Sequence, residues 1–377
     1  MRPLFQWAGG KTKLLKQYEP AGVYPNTFSS YHEPFLGAGA LFIEMYQRNP
    51  DAKFFLNDIN GGIMGIYEAI RDDIDLFCFH LDFYEREYLP LLSPPHPKKI
   101  NRKQKKAIAH SHRSLEAGYK LDSNPKRKYD WPTIYAHHPT RRHYYFMLRD
   151  RHAWEHSSMT RTEEAAALYF LLKTGFNGIW QVNVNTNQRY GTPCGLLQET
   201  SSVYDKANIL AWHDALQKCA LNAHGYHKEL AAIGPGSFVF LDPPYRESYA
   251  DYGTVAHDEF QEDVLGFLRE AKSKGAYVLL SNRESPDAFF HNRKEDNQIL
   301  TFDVKYTLGR CKAQTTVSYA YPPFAPVLSP SQKYFFDKAA AKKTATTNTK
   351  VKAKEILMIG LDSQYKSCYI NNRNKQE

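Results

Sequence analysis

Apolar residues along this chain fall into two kinds of block: short continuous runs and longer stretches with helical spacing. Phe238-Val239-Phe240-Leu241 is a run of the first kind, bounded by Gly236 and by prolines, and reads as a buried strand. Tyr31 to Leu36, Lys53 to Leu56, Ala276 to Leu280, Leu300 to Tyr306, Thr315 to Tyr321 and Glu355 to Ile359 read as further strands. Ala40 to Gln47, Gly62 to Arg71, Thr160 to Lys173, Tyr204 to Cys219 and Asp258 to Lys274 read as helices, with Thr160 or Thr162 suited to cap the third. Strands alternating with helices imply a largely parallel sheet covered on both faces, hence an α/β fold.

The strand ends carry the candidate chemistry. Two prolines in Asp242-Pro243-Pro244-Tyr245 forbid the strand before them from continuing, and leave a carboxylate and an aromatic ring at its carboxyl end. That edge is where ligands bind in open α/β sheets, so the four residues can present an acceptor and a stacking face to a flat, amine-bearing ring. A rigid turn is the alternative reading. Near the amino terminus, Gly37-Ala38-Gly39 lies between a strand and a helix, where glycine lets the backbone approach a ligand. The next strand ends at Asp58, an acidic residue roughly 20 positions beyond the glycines and suited to ribose hydroxyls. Glu33 shares the first strand end, as a ligand contact or a turn cap.

Phe35-x-Gly37-x-Gly39, Asp242 to Tyr245 and Trp7-Ala8-Gly9-Gly10-Lys11 together resemble the Dam-type (D12 class) DNA adenine N6-methyltransferases. Gly175-Phe176-Asn177-Gly178 with Gly191-Thr192-Pro193-Cys194-Gly195 is similar to that family's recognition hairpin, and Leu279-Leu280-Ser281-Asn282 to a late core strand. The resemblance implies a Rossmann-like S-adenosylmethionine-dependent methyltransferase fold with an inserted, mainly helical target-recognition region. It implies Asp242, Pro243, Pro244 and Tyr245 as catalytic residues, acting on an adenine flipped out of double-stranded DNA. S-adenosylmethionine would be met by Trp7, Lys11, Phe35, Gly37, Gly39, Asp58 and Asp242. Read without the family, Trp7 could pack on a ligand ring and Lys11 could pair with a carboxylate, but a helix-entry anchor and a surface charge are the favoured readings. The hairpin departs from the family's at Thr192 and Cys194, which leaves the recognised DNA sequence open. A catalytically silent DNA-binding protein on the same scaffold and an RNA adenine methyltransferase are the alternative readings.

Net charge sharpens the substrate class once it is located. The chain of 377 residues carries +9, yet Pro94 to Arg149 holds fourteen Lys and Arg against three Asp and Glu, net +11, leaving −2 for the rest. A concentrated positive segment suits a phosphate backbone, and Tyr119, Tyr129, Trp131 and Tyr135 among the charges suit stacking on bases; a solvated loop is the alternative. Lys103, Lys105 and Lys106 are the candidate phosphate contacts. Asn177 to Gly195 is rich in amides, which pair bidentately with adenine or simply form turns, so Asn177, Gln181, Asn183 and Arg189 are candidate base readers.

Other functions are excluded or unsupported. No run approaches the roughly 20 apolar residues of a membrane span and the first residues lack a signal peptide's apolar segment, so a cytoplasmic protein is expected. Five scattered cysteines suggest reduced thiols, and His110, His112, His137 and His138 read as surface groups, so no metal is expected. Neither a Gly-x-Ser-x-Gly elbow nor a complete phosphate loop is present. The expected organisation is a catalytic domain from residues 1–75 and 200–377, with a flexible low-complexity insertion at 337–354. A DNA target-recognition region, residues 76–199, would lie between, with its basic insert at 94–149. A monomer or weak homodimer is expected.

Overall fold

The computed structural model describes residues 1–7, 10–92, 101–121, 127–195, 202–246, 258–283, 287–306 and 351–360. The strand candidate Thr315 to Tyr321, the Pro322 to Pro330 stretch, the low-complexity segment up to residue 350, and Ala8, Gly9, Lys98, Lys99, Lys126, Cys311 and Cys368 lie outside the described residues.

Seven strands form one sheet: β1 (Ser30–Glu33), β2 (Lys53–Asn57), β5 (Cys219–Asn222), β6 (Ser237–Leu241), β7 (Tyr277–Arg283), β8 (Gln298–Tyr306) and β9 (Val351–Gly360). β3 (Val182–Asn183) and β4 (Arg189–Tyr190) form a separate two-stranded hairpin. The large sheet runs β5-β2-β1-β6-β7-β9-β8. The β5-to-β7 pairings are parallel, and β9 is antiparallel to both of its neighbours. The order reverses between β1 and β6, so the crevice beyond their carboxyl ends is the binding edge of this fold. Tyr306 pairs with Val351, so residues 307–350 connect two paired strands.

The central runs are apolar at every position because both faces are covered. Phe238, Phe240, Tyr277, Leu279 and Leu357 enter the larger core, whereas Val239, Leu241, Val278, Leu280, Ile356 and Met358 enter a second core. Burying one such side chain contributes about 1.5–3 kcal/mol, so a register slip here would be costly.

α1 (Thr12–Tyr18), α2 (Ala40–Arg48), α3 (Gly61–Asp72) and α9 (Lys206–Leu216) build on the larger core, and α10 (Asp258–Ser273) on the second. Between α3 and α9 come α4 (Ile74–Tyr88), α5 (Arg102–Ala117), α6 (Trp131–His137), α7 (Arg141–Trp154) and α8 (Arg161–Thr174). α8 is buried from Ala165 to Leu172 and packs on α3, α4 and α7. Thr160 caps it, its hydroxyl accepting from Glu163 N at 3.1 Å. One expected element is corrected: Tyr204 to Cys219 is not a single helix. α9 ends at Leu216, and Cys219-Ala220-Leu221-Asn222 pairs with β2 at the sheet edge, because ladder pairing overrides the local propensity of so short a segment.

Candidate active site and recognition surface

Strand β1, the turn after it and the end of β2 make one side of the crevice. Leu36 N donates to Asn57 O at 2.9 Å and Asn57 Nδ2 donates to Pro34 O at 3.0 Å, locking the two strand ends together. Gly37 and Gly39 then turn the chain with φ of 49° and 64°. A Cβ on Gly37 would sit 2.7 Å from Trp7 Nε1, and one on Gly39 would sit 2.7 Å from Trp212 Cη2, so neither position accepts a side chain. Asp58 closes this side: Oδ2 accepts from Gly37 N and Oδ1 from Asn60 N, each at 2.9 Å. Each oxygen retains a second lone pair for a ligand hydroxyl.

Asp242 stands opposite, at the end of β6. Lys11 Nζ approaches Asp242 Oδ1 to 2.6 Å, hydrogen-bonds the Tyr245 hydroxyl and lies 4.6 Å from that ring's centroid. Lys11 is 2% exposed, so it is a buried member of this group rather than a surface charge. Trp7 packs between Phe5 and Trp180, with centroids 5.9 and 6.0 Å away. Phe35 turns toward the second core, 4.9 Å from the ring of Tyr226.

Glu33 is buried beside these carboxylates and accepts from the Tyr31 hydroxyl at 2.8 Å. Burial pushes its carboxyl up to about 8, with Asp242 and Asp58 pushing the same way, so it is largely protonated at neutral pH. Burial likewise raises Asp58, while its two backbone N–H donors pull it down.

A buried amide relay supports the Asp242 to Tyr245 turn. Gln261 Nε2 donates to Pro244 O at 3.0 Å, and Asn282 Nδ2 donates to Gln261 Oε1 at 2.9 Å. Both side chains are fully buried. Asn282 thus props the turn from behind, and Ser281 faces the Tyr18 hydroxyl at 3.3 Å. Sequence reasoning missed Gln261, although a glutamine on the apolar stripe of Val264, Leu265 and Leu268 is a legible signal.

The candidate DNA contacts are dispersed. Lys103, Lys105 and Lys106 are exposed on α5. Asn177 is exposed at φ 54°, and Gln181 is exposed while its carbonyl accepts from Gly191 N at 2.7 Å. The Asn183 side chain accepts from Asn185 N at 2.8 Å, which makes it a turn former, and Arg189 is ion-paired with Glu164. Exposed Phe176 and Ile179 stand at the hairpin base.

Two findings refine the reading of the basic segment. Part of its charge turns inward: Arg141 donates to Leu91 O and Leu89 O at 3.1 and 2.6 Å, and Arg127 pairs with Asp150 at 3.0 Å. Arg149 donates to Gly191 O at 3.2 Å, bringing α7 to the hairpin. Trp131 is 5% exposed and stacks on Phe146 at 4.5 Å, so it belongs to the insert's core rather than to bases. A cavity of about 310 Å³ opens here, lined by Arg113, Lys128, Arg142, Arg149, Asn183 and Asn185 among others. Secondly, His112 is not a plain surface group: it is half-buried, with Glu116 one turn along α5 and His143 across on α7.

Among the described residues, no helix is long and apolar enough to cross a membrane. Residues 7–89 and 118–308 match the family described as D12 class N6 adenine-specific DNA methyltransferase. Among individual proteins, the Type II methyltransferase M.MjaIII of Methanocaldococcus jannaschii is 24% identical over 300 residues, covering 77% of this chain and 86% of that one. The Type II methyltransferase M1.LlaDCHI of Lactococcus lactis is 23% identical, covering 76% and 82%. The DNA adenine methylase of Haemophilus influenzae is 22% identical, covering 75% and 80%.

Proposed function

Because the chain belongs to the D12 class of N6 adenine-specific DNA methyltransferases, we propose that its methyl donor is S-adenosylmethionine and that the crevice between Asp58 and Asp242 is its transfer site. The protein is a site-specific DNA adenine N6-methyltransferase. The observation that carries the site reading is the convergence of Lys11 with Asp242 and Tyr245 from a distant part of the chain, beside the glycine turn held by Asp58.

The donor side fits these residues. Asp58 keeps lone pairs for the ribose hydroxyls, Gly37 presents bare backbone, and Trp7 lies against it. The bound donor supplies an electrophilic methyl group on a sulfonium. A protonated Glu33 keeps one more negative charge away from Asp242 and Asp58.

On the substrate side the difficulty is the adenine amine, whose lone pair is delocalised into the ring. A hydrogen bond from that amine to the Asp242 carboxylate, and another to the Pro243 carbonyl, localise the lone pair and stabilise the positive charge developing on nitrogen. The amine proton becomes acidic only after attack begins, so a strong base is not required. Holding the reactants in line contributes several kcal/mol, about 7–11 in the best intramolecular cases. The target base must leave the duplex, and Tyr245 replaces its lost stacking neighbours; unstacking costs a few kcal/mol, which backbone contacts offset.

In this reading residues 1–75 and 200–377 form the catalytic unit, and residues 76–199 the recognition region that touches DNA through the hairpin and α5. The test is Asp242→Ala. It should abolish transfer of labelled methyl to DNA while DNA affinity stays within about twofold of the native protein, a change of under about 0.5 kcal/mol. Transfer at a normal rate would overturn the assigned roles.

A further inference from the structure

We propose that His112, Glu116 and His143 bind a divalent transition-metal ion of the zinc class, which pins α5 to α7 in the recognition insert. One ligand atom from each residue lies within 4.8 Å of the other two. Tetrahedral zinc with ligands about 2.0–2.2 Å away sets its ligands roughly 3.3 Å apart, so small side-chain rotations close the site.

The decisive atom is His143 Nε2. His143 is 2% exposed, and its Nδ1 donates to His138 O at 2.5 Å, which leaves the lone pair on Nε2. Nε2 is buried and has no hydrogen-bond partner. A buried polar atom left unpaired is uncommon, and a fixed neutral imidazole with its far nitrogen held by a carbonyl is the form in which histidine meets metals.

Glu116 is likewise oriented by an outer partner. Glu116 is 4% exposed, and Arg142 donates to its Oε1 twice, at 3.0 and 2.7 Å, leaving Oε2 without a hydrogen bond. That arrangement matches a ligating carboxylate oriented by an outer partner. His112 precedes Glu116 by one turn and shares its face of α5. Two imidazoles and a carboxylate, with water as a fourth ligand, form a donor set that zinc accepts.

A metal here would answer a packing question. α5 spans Arg102–Ala117, yet Glu116 is its only fully buried residue, so apolar burial does little to hold it. A metal clip at one end would fix the helix that carries Lys103, Lys105 and Lys106.

The test uses the full chain, stripped with a chelator and titrated with Zn²⁺ against a chromophoric competitor, then with Co²⁺ followed by visible absorption. One ion per chain and the intense visible bands of four-coordinate Co²⁺ are expected. His143→Gln should weaken binding by about tenfold or more, whereas His110→Gln, at an exposed neighbour, should not. Absence of stoichiometric binding, or native affinity in His143→Gln, overturns the proposal. If His143→Gln does not fold, His112→Gln at a half-exposed position carries the same expectation. None of these readouts depends on methyl transfer.

Discussion

Lys11 Nζ lies 2.6 Å from Asp242 Oδ1, a contact that joins the amino end of α1 to the carboxyl end of β6. In the proposed mechanism this contact positions the carboxylate that accepts from the substrate amine, and the same ammonium hydrogen-bonds Tyr245. Lys11→Met keeps the bulk and removes the charge. We expect kcat to fall by about 10²–10³, the range for losing one preorganised electrostatic group. Folding stability should fall by about 1–3 kcal/mol, read by urea unfolding, because the carboxylate loses its partner. Unchanged kcat would mean that Asp242 needs no positioning from Lys11.

Glu33 makes stability depend on pH in a definite sense. Its carboxyl titrates near 8 in the fold against an ordinary value of 4.5, so the native protein holds a proton the unfolded chain has released. Stability from this group is intact below about pH 4.5 and declines, by up to about 1.4 kcal/mol per pH unit, until about pH 8. Glu33→Gln keeps an acceptor for the Tyr31 hydroxyl and cannot ionise. Its urea midpoint should exceed the native value at pH 8 and approach it toward pH 5. A constant offset across that range would contradict the raised carboxyl.

The glycine turn separates two failures. Gly37→Ala drives a methyl group into the Trp7 indole at a φ of 49°, whereas Gly39→Ala drives one into buried Trp212 at a φ of 64°. Both add strain of about 1–3 kcal/mol. Gly37→Ala should weaken donor binding, measured by calorimetry, because the indole beside the pocket must shift. Gly39→Ala should mainly lower Tm, since Trp212 is a core residue donating to Arg2 O at 2.8 Å. Equal donor affinity in both variants would remove Trp7 from the pocket.

The sheet and its glycine turn were legible because their signals are local. Phe238 to Leu241 reads as a run buried on both faces, and the two prolines that follow stop it from continuing. The insert was not legible for the opposite reason. α7 reads Arg-Arg-His-Tyr-Tyr-Phe-Met-Leu-Arg-Asp-Arg-His-Ala-Trp and buries Arg141, His143, Asp150 and His152, so polar residues fill core positions and no apolar period emerges. For the same reason a count of charges does not tell which arginines turn inward: Arg127, Arg141 and Arg142 are matched inside the fold by Asp150, the carbonyls of Leu89 and Leu91, and Glu116. In the candidate site, Asp58 and Gly37 were readable from spacing along the chain. The pairing of Lys11 with Asp242, and the Gln261 relay, arise only when distant segments meet.

Gln261 offers a test of support without contact to the reacting atoms. Gln261→Leu fills the volume but leaves the Pro244 carbonyl and the Asn282 amide without their shared partner. Stability should drop by about 1–3 kcal/mol. As a positioning residue, it should lower kcat with KM for the donor little changed, and Gln261→Glu should restore part of the rate because one oxygen can still accept from Asn282. A loss of stability with native kcat would reduce the relay to packing.

The distribution of charge gives the last prediction its discriminating form. Lys103, Lys105 and Lys106 are exposed on α5, whereas Arg141 is buried and bonded to the carbonyls that follow α4. Only solvent-exposed cations can release counterions from DNA, so the lysines should count in the salt slope and Arg141 should not. Replacing the three lysines with alanine should flatten the slope of log K against log salt by about 0.9 for each phosphate that goes unneutralised, and by the same increment for every DNA sequence. Arg141→Met should leave the slope unchanged and lower Tm, because the Leu89 and Leu91 carbonyls lose their donor. Fluorescence anisotropy across a salt series and a thermal melt measure the two effects. A native slope in the triple variant would move the phosphate track away from the first turns of α5, toward the cavity lined by Lys128, Arg142 and Arg149.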